Sequence, residues 1–268
     1  MQESADEEEG LTPFELAQPR SLAEAFPLLR EEGARAMSGG TALMLMMKAG
    51  VLRPKRLVSL RRLGFDGIDL VNGELRIGAM ATLRALEKSP LVGSEWPVIT
   101  RTLRTLSNVR VRNVATIGGH LAHGDPHTDL PPLLSALGAT ATIAGPEGER
   151  TSKVEDLYAG YLETTLAPGE LITQVQVPAM GGRKAAYLKC TTRSADDWPA
   201  VGVAVVIDRE KSTIVVSAAT DRPTRLASMD SIEGLQIEGD LHGSAEYKKH
   251  LVRVYAKRAI DEARNAGR

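Results

Sequence analysis

Cysteine is nearly absent: Cys190 is the single one in 268 residues. One thiol forms no disulfide within the chain and cannot supply the four thiolates of an iron–sulfur cluster, so any such cluster must sit on a partner. An excess of charge is missing too. The 33 basic and 34 acidic residues leave a formal net charge of -1 at pH 7, well mixed along the chain. That balance gives neither a nucleic-acid face nor a basic membrane-surface patch. No apolar run approaches the ~20 residues that cross a bilayer, which excludes membrane insertion by a helix. The first ten residues, MQESADEEEG, are acidic where a secretory signal is basic, so the expected location is the cytoplasm.

What is present is enough apolar material, 43% of the chain, to bury a sizeable core, divided over two or three small lobes. Residues 1–12 read as an acidic tail, expected to be disordered. Ser21 with Glu24 forms a capping box for the amphipathic helix SLAEAFPLLREE, with Gly33 as its C-cap and Pro27 as an irregularity inside it. ARAM then reads as a strand, SGGT as a turn and ALMLMMKAG as a buried helix. RLVSL is a strand, and DLV and ELRIGA form a hairpin across Asn72-Gly73. Helical spacing dominates from Thr82 to Ser107, and VRVRNVATI is read as leading into the second glycine loop as a strand would. LPPLLSALGA is a helix with prolines in its first turn, and ELITQVQVP a strand. Past AMGGRK, AAYLKCTT, VGVAVVID and STIVVSAAT are three antiparallel strands, and SAEYKKHLVRVYAKRAIDEARNA closes the chain as a helix ending at Gly267.

The densest chemistry lies in VATIGGHLAHGDPHTDLPPLLSALGAT, residues 114–140. His120, His123, Asp125, His127 and Asp129 offer donors that zinc accepts, yet their spacing is neither a helical i, i+4 pair nor a paired-cysteine knuckle. No metal is assigned to them. Two glycine loops, Ser38-Gly39-Gly40-Thr41 and Thr116-Ile117-Gly118-Gly119, carry more weight. A glycine pair lets backbone N–H groups converge on an anion, and a helix beginning there adds a positive dipole end. Two such loops, each with a threonine and each read as lying between a strand and an apolar helix, fit a ligand with two phosphates. Neither is G-x-G-x-x-G and no P-loop lysine follows, which supports neither a Rossmann site nor a nucleotide triphosphatase.

VRNVATIGGHLAHGDPHTDLPPLLSALGA follows the pattern VRN-x-x-TIGG-x-x-A-x-x-x-P-x-x-D, GYLETTLAPGELITQVQVP the pattern G-Y-x-x-x-x-L-x-P-x-E-L-I-x-x-V-x-V-P, and YLKCTTRSADDWPAVGVAVVI the start of a C-terminal domain. In these segments, and over nearly everything from Pro13 onward, the chain resembles the medium subunit of the molybdenum hydroxylases, which binds flavin adenine dinucleotide (FAD). That family includes aerobic carbon monoxide dehydrogenase and the flavin part of xanthine dehydrogenase. The resemblance implies an α+β fold: a two-lobed FAD-binding domain of the molybdopterin-dehydrogenase type over 13–178, with a lobe boundary near 60, and a small C-terminal domain over 183–268 with a three-stranded antiparallel sheet and helices.

The same resemblance implies roles. Ser38, Gly39, Gly40, Thr41, Ala42 and Leu43 would form one pyrophosphate loop, preceded by Arg35 and Met37, and Thr116, Gly118 and Gly119 the other. Asp129 would hydrogen-bond the flavin nucleotide, with His120, His123 and Asp125 close by. Leu171 and Ile172 would pack near the isoalloxazine and Lys189 at its edge. No catalytic acid, base or nucleophile is expected on this chain. A large molybdopterin subunit and a small [2Fe-2S] subunit are the implied partners, in a dimer of heterotrimers. Electrons would pass through FAD to quinone, NAD or oxygen, in a complex able to associate with the inner face of the membrane. The chain departs from the pattern where His120 replaces Asn or Asp, Val114 and Ala115 replace Arg-Gly, and Ala42 replaces a polar residue. Two other readings stay open: a stand-alone flavin oxidoreductase that binds its own substrate, and a degenerate, flavin-free scaffold or maturation protein.

Overall fold

In a computed structural model, which describes residues 11–266, three larger sheets follow one another along the chain, with a two-stranded ribbon in the middle third. The first third builds β1 (Glu15–Ala17), α1 (Leu22–Arg30), β2 (Ala34–Met37), α2 (Thr41–Lys48) and β3 (Arg56–Ser59). The three strands form a parallel sheet in the order β1-β3-β2. Ser21 caps α1 by accepting from the Glu24 amide, and Glu24 returns the contact to the Arg20 amide, one residue earlier than a capping box predicts. Pro27 lies inside the helix, and the C-cap is Glu31 in an extended conformation, so Gly33 only turns the chain into β2.

The middle of the chain adds β4 (Ile68–Val71), β5 (Glu74–Gly78), α3 (Leu83–Lys88), α4 (Pro90–Glu95), α5 (Pro97–Thr105), α6 (Val109–Arg112), α7 (Ile117–Ala122) and α8 (Leu130–Leu137). It continues with β6 (Thr140–Gly145), β7 (Gly148–Lys153), β8 (Tyr158–Gly160), β9 (Glu163–Thr164) and β10 (Leu171–Val177). The five-stranded sheet runs β4-β5-β10-β6-β7, antiparallel throughout. Asn72 and Gly73 both take positive φ, as a two-residue hairpin turn requires. Pro131 and Pro132 fall in the first turn of α8, where their missing N–H groups cost no intrahelical bond, and Gly138 ends the helix in the left-handed region. Against this sheet the helices bury Leu83, Leu86, Trp96, Ile99, Leu103, Leu121, Leu130 and Leu134. Burial of a side chain of that size is worth about 1.5–3 kcal/mol.

The last third forms β11 (Lys184–Thr191), β12 (Pro199–Asp208), β13 (Lys211–Ser217), β14 (Thr224–Leu226) and α9 (Ala245–Asn265). The sheet has four strands, not three, because the short β14 pairs with β13. It is covered on both faces. Val201, Val203 and Val205 face the core that holds Val252, Ala256, Ala259 and Ala263 of α9, whereas Ala204 and Val206 join the core shared with α8. That two-sided burial is why β12 reads as a continuous apolar run rather than an alternation. Gly267 lies outside the described residues, as do residues 1–10 of the acidic tail.

Two further expectations change. VRVRNVATI holds no strand: Val109–Arg112 is a helical turn capped by Asn108, and the only ladder contact beyond it is one bridge between Thr82 and Thr116. Arg112 is buried there, its Nε 2.9 Å from Glu87 Oε2 and its Nη1 donating to the Leu106 carbonyl, and these bonds fix the turn. Nor is α2 a buried helix. Only Met47 is buried and Leu45 is 69% exposed, because three short strands cannot cover an apolar helix on all sides.

Candidate functional site

The N-terminal end of α2 and that of α7 face a common cleft of about 290 Å³. Of the residues expected at a cofactor, Met37, Ser38, Gly39, Gly40, Thr41, Ala42, Leu43, Thr116, Gly118, Gly119, His120, His123, Leu171 and Ile172 line it. Three walls that sequence reasoning missed complete it: Leu60, Leu63 and Phe65 after β3, Ala79 and Met80 after β5, and Glu170 before β10. No local pattern marks these, since each is an ordinary core or turn residue until the sheets are brought together.

The glycines explain how the walls meet. A Cβ on Gly39 would overlap the Val114 carbonyl oxygen, and one on Gly119 would overlap the Ser38 hydroxyl. A Cβ on Gly118 would lie 2.6 Å from Ala79 Cβ and 2.8 Å from the Ala79 carbonyl oxygen. The two loops are therefore pressed against each other and against β5, at distances only glycine permits.

Their free donors differ. At α7 the amides of Ile117 and Gly118 donate to the carbonyls of Ala81 and Ala79, that of Gly119 to Thr116 Oγ1, and that of His120 to the Thr116 carbonyl. Thr116-Ile117-Gly118-Gly119 is thus the capped first turn of a helix and not an open anion loop. At α2, Gly40 caps with φ of 76° and no side-chain bond, and the amides of Gly39 through Leu43 have no protein acceptor among the described residues. These N–H groups sit at the positive end of the α2 dipole, in a cleft whose lining holds no lysine or arginine. An anion there would be neutralised by amide dipoles rather than by cationic side chains.

His120 presents part of its ring to the cleft while its Nε2 is sealed from water without a partner. Burial, with His123 beside it, pushes its pKa down to about 4, against which Asp125 acts weakly. It is a neutral ring at physiological pH, not the cation that a diphosphate neighbour alone would favour. The cleft accordingly fits a dinucleotide: free amides for phosphates, apolar walls at Leu60, Phe65, Leu171 and Ile172 for a ring system, and an orphaned imidazole nitrogen in need of a partner.

The fold is shared with known proteins. Residues 12–180 match the family described as the FAD binding domain in molybdopterin dehydrogenase. The chain belongs to that family. It is similar to the carbon monoxide dehydrogenase medium chain of Afipia carboxidovorans, 32% identical across 94% of this chain and 96% of that one. The glyceraldehyde dehydrogenase medium chain of Sulfolobus acidocaldarius is 29% identical across 93% and 98%. The solved carbon monoxide dehydrogenase from Hydrogenophaga pseudoflava matches with a TM-score of 0.90 at 29% identity, over 95% of this chain and 98% of that chain. The protein is an oxidoreductase subunit whose cofactor is FAD.

Within this flavin-subunit fold, four expected site residues lie away from the cleft lining. Arg35 stands exposed on β2, its guanidinium 3.3 Å from the Ala34 carbonyl. Asp125 is buried and turned toward His127, accepting from its backbone N–H at 2.8 Å and facing its Nδ1 at 2.9 Å. Asp129 and Lys189 pair with each other. Lys189 Nζ lies 3.0 Å from Asp129 Oδ2 and also donates to the carbonyls of Thr105 and Asp197, while the Tyr187 hydroxyl donates to Asp129 Oδ1 at 2.6 Å. Burial pushes the Asp129 carboxyl above the usual carboxylate range, with Lys189 and Tyr187 opposing it. A charge pair this deep is stable only with its remaining lone pairs and protons satisfied, and here the carbonyls and the phenol supply that. Among the described residues no helix is long and apolar enough to cross a membrane.

Proposed function

We propose that this chain is the FAD-binding electron-transfer subunit of a heteromeric molybdenum hydroxylase, similar to the carbon monoxide dehydrogenases. The uncapped α2 amides facing an apolar cleft carry this reading. They would hold the diphosphate, with Thr116 and His120 on the opposite wall, and Leu171 and Ile172 would exclude water from the ring system. Bound FAD supplies redox chemistry in which electrons arriving singly leave as a pair. A large molybdopterin subunit and a small [2Fe-2S] subunit, as a dimer of heterotrimers, would supply the electrons, and quinone, NAD or oxygen would accept them. Location in the cytoplasm, with association of the complex with the inner membrane face, belongs to the same proposal.

The test is reconstitution with both partner subunits. A loop-disrupting variant, Gly39→Val, whose added carbons meet the Val114 carbonyl, should leave substrate-driven bleaching of the iron–sulfur absorbance intact and abolish turnover with an external acceptor. Loss of both would assign the chain an assembly role rather than electron transfer.

A further inference from the structure

The histidine-rich stretch sends one residue to a second cluster outside the cleft. His127 lies between two carboxylates, with Nδ1 2.9 Å from Asp125 Oδ1 and Nε2 3.4 Å from Asp240 Oδ2. Donor atoms of His127, Asp240 and His242 all fall within 4.8 Å of one another. The sequence neighbours His120, His123, Asp125, His127 and Asp129 are assigned no metal. The structure supplies a different set, whose other two members stand in the turn before α9.

We propose that His127, Asp240 and His242 bind one divalent transition-metal ion of the zinc class. Two imidazoles and a carboxylate are donors such ions accept. The ligands are also held from behind. Asp125 takes both the backbone N–H and Nδ1 of His127, which leaves Nε2 as the outward atom and gives the carboxylate–histidine support usual behind a metal ligand. Trp198 stacks on the ring, centroids 5.7 Å apart and planes 13° off parallel, and so restricts its rotation. On the other side, the His242 N–H donates to Asp240 Oδ1 at 2.8 Å, and Asp240 and Gly243 exchange backbone bonds of 3.0 and 3.2 Å. Asp240 and His242 thus project from one closed turn.

One group opposes a cation. The buried Lys248 places Nζ 2.5 Å from Asp240 Oδ2 and 3.1 Å from the Ala218 carbonyl. It occupies one lone pair of that oxygen and leaves another. With neutral imidazoles, two carboxylates against one ammonium keep the cluster net negative, so an added cation is attracted, though less than without Lys248. A cavity of about 890 Å³ reaches His127 and Asp240 and leaves room for water in the remaining coordination positions. A metal here would tie the segment between α7 and α8 to the turn before α9, more than a hundred residues later.

The experiment uses untagged, flavin-loaded full-length protein, stripped with a chelator and dialysed against zinc chloride. One zinc per chain is expected. His127→Gln and His242→Gln should each weaken binding at least tenfold without loss of flavin, whereas His250→Gln, outside the cluster, should bind as the parent does. Modification of histidines by diethyl pyrocarbonate gives a readout free of variants: zinc should protect His127 and His242 and leave His250 reactive. Absence of stoichiometric zinc, binding unchanged in both cluster variants, or equal modification with and without zinc overturns the proposal.

Discussion

The two glycine loops look alike in sequence and do different work in space. Ser38-Gly39-Gly40-Thr41 precedes an uncapped helix and leaves its amides without protein acceptors, whereas Thr116-Ile117-Gly118-Gly119 starts a helix whose first four amides are all bonded within the chain. The glycines of the second loop serve close approach, to Ala79 and to Ser38. A double-glycine turn beside a threonine is therefore ambiguous: it can open donors to a ligand, or let backbone pack on backbone. The cap decides which, because a side-chain oxygen at the N-cap competes with an anion for the same N–H groups.

The largest effect that would sharpen this contrast is expected from Gly39→Val. Its added carbons meet a backbone carbonyl that cannot rotate away, so FAD affinity should fall at least tenfold and stability by about 1–3 kcal/mol. Gly119→Ala meets the rotatable Ser38 hydroxyl and should weaken FAD by no more than about threefold. Flavin fluorescence titration and thermal melts of the two variants measure the difference, and equal losses would erase the distinction between the loops.

Next in size, Ala42→Glu places a carboxylate at the free α2 amides. It should stabilise the flavin-free protein by about 0.3–1 kcal/mol while weakening FAD about tenfold, because the new side chain competes for those donors. A stabilised variant that still binds FAD normally would show that the diphosphate lies elsewhere.

Thr116→Val tests the other helix. Removing the hydroxyl that accepts from the Gly119 amide should cost about 1 kcal/mol of stability, with FAD affinity kept within about threefold. A tenfold loss of flavin would mean that the hydroxyl contacts the cofactor rather than the helix end.

A pH effect concerns His120, whose pKa is held down to about 4 in the folded, flavin-free chain. The unfolded state takes the proton first, so this histidine's contribution is whole above about pH 6.5 and is lost as pH falls toward 4. The unfolding free energy from denaturant melts should fall with acidity across that window in the parent, with a shallower slope in His120→Asn. An unchanged slope would place the titrating group elsewhere.

Much of the fold was legible because local rules and tertiary packing agree. Asn72-Gly73, the prolines of α8, the Ser21 cap and the alternation of Leu171–Val177 each fix a local geometry that the core then uses. Reading failed where contacts distant in sequence decide the outcome. The exposure of α2, the helical turn at Val109–Arg112 and the short β14 depend on neighbours distant in sequence. The candidate site divides in the same way: the glycines and threonines announced themselves, while Leu60, Phe65 and Met80 gained a role only from the meeting of two sheets.

By itself, the sequence determined that a single thiol cannot hold a four-cysteine cluster within this chain, and that three ordered motifs mark the flavin-subunit family. Tertiary structure alone decided which hydrogen-bonding groups remain free for a ligand. Asp129 and Lys189, sixty residues apart, pair with each other; His127 meets Asp240 across more than a hundred; the α2 amides stay unpaired because no side chain caps them. Composition and spacing fix how many donors and acceptors a chain has. Which of them are spent internally depends on long-range contacts, and a buried polar group left over from that pairing is what a ligand can satisfy.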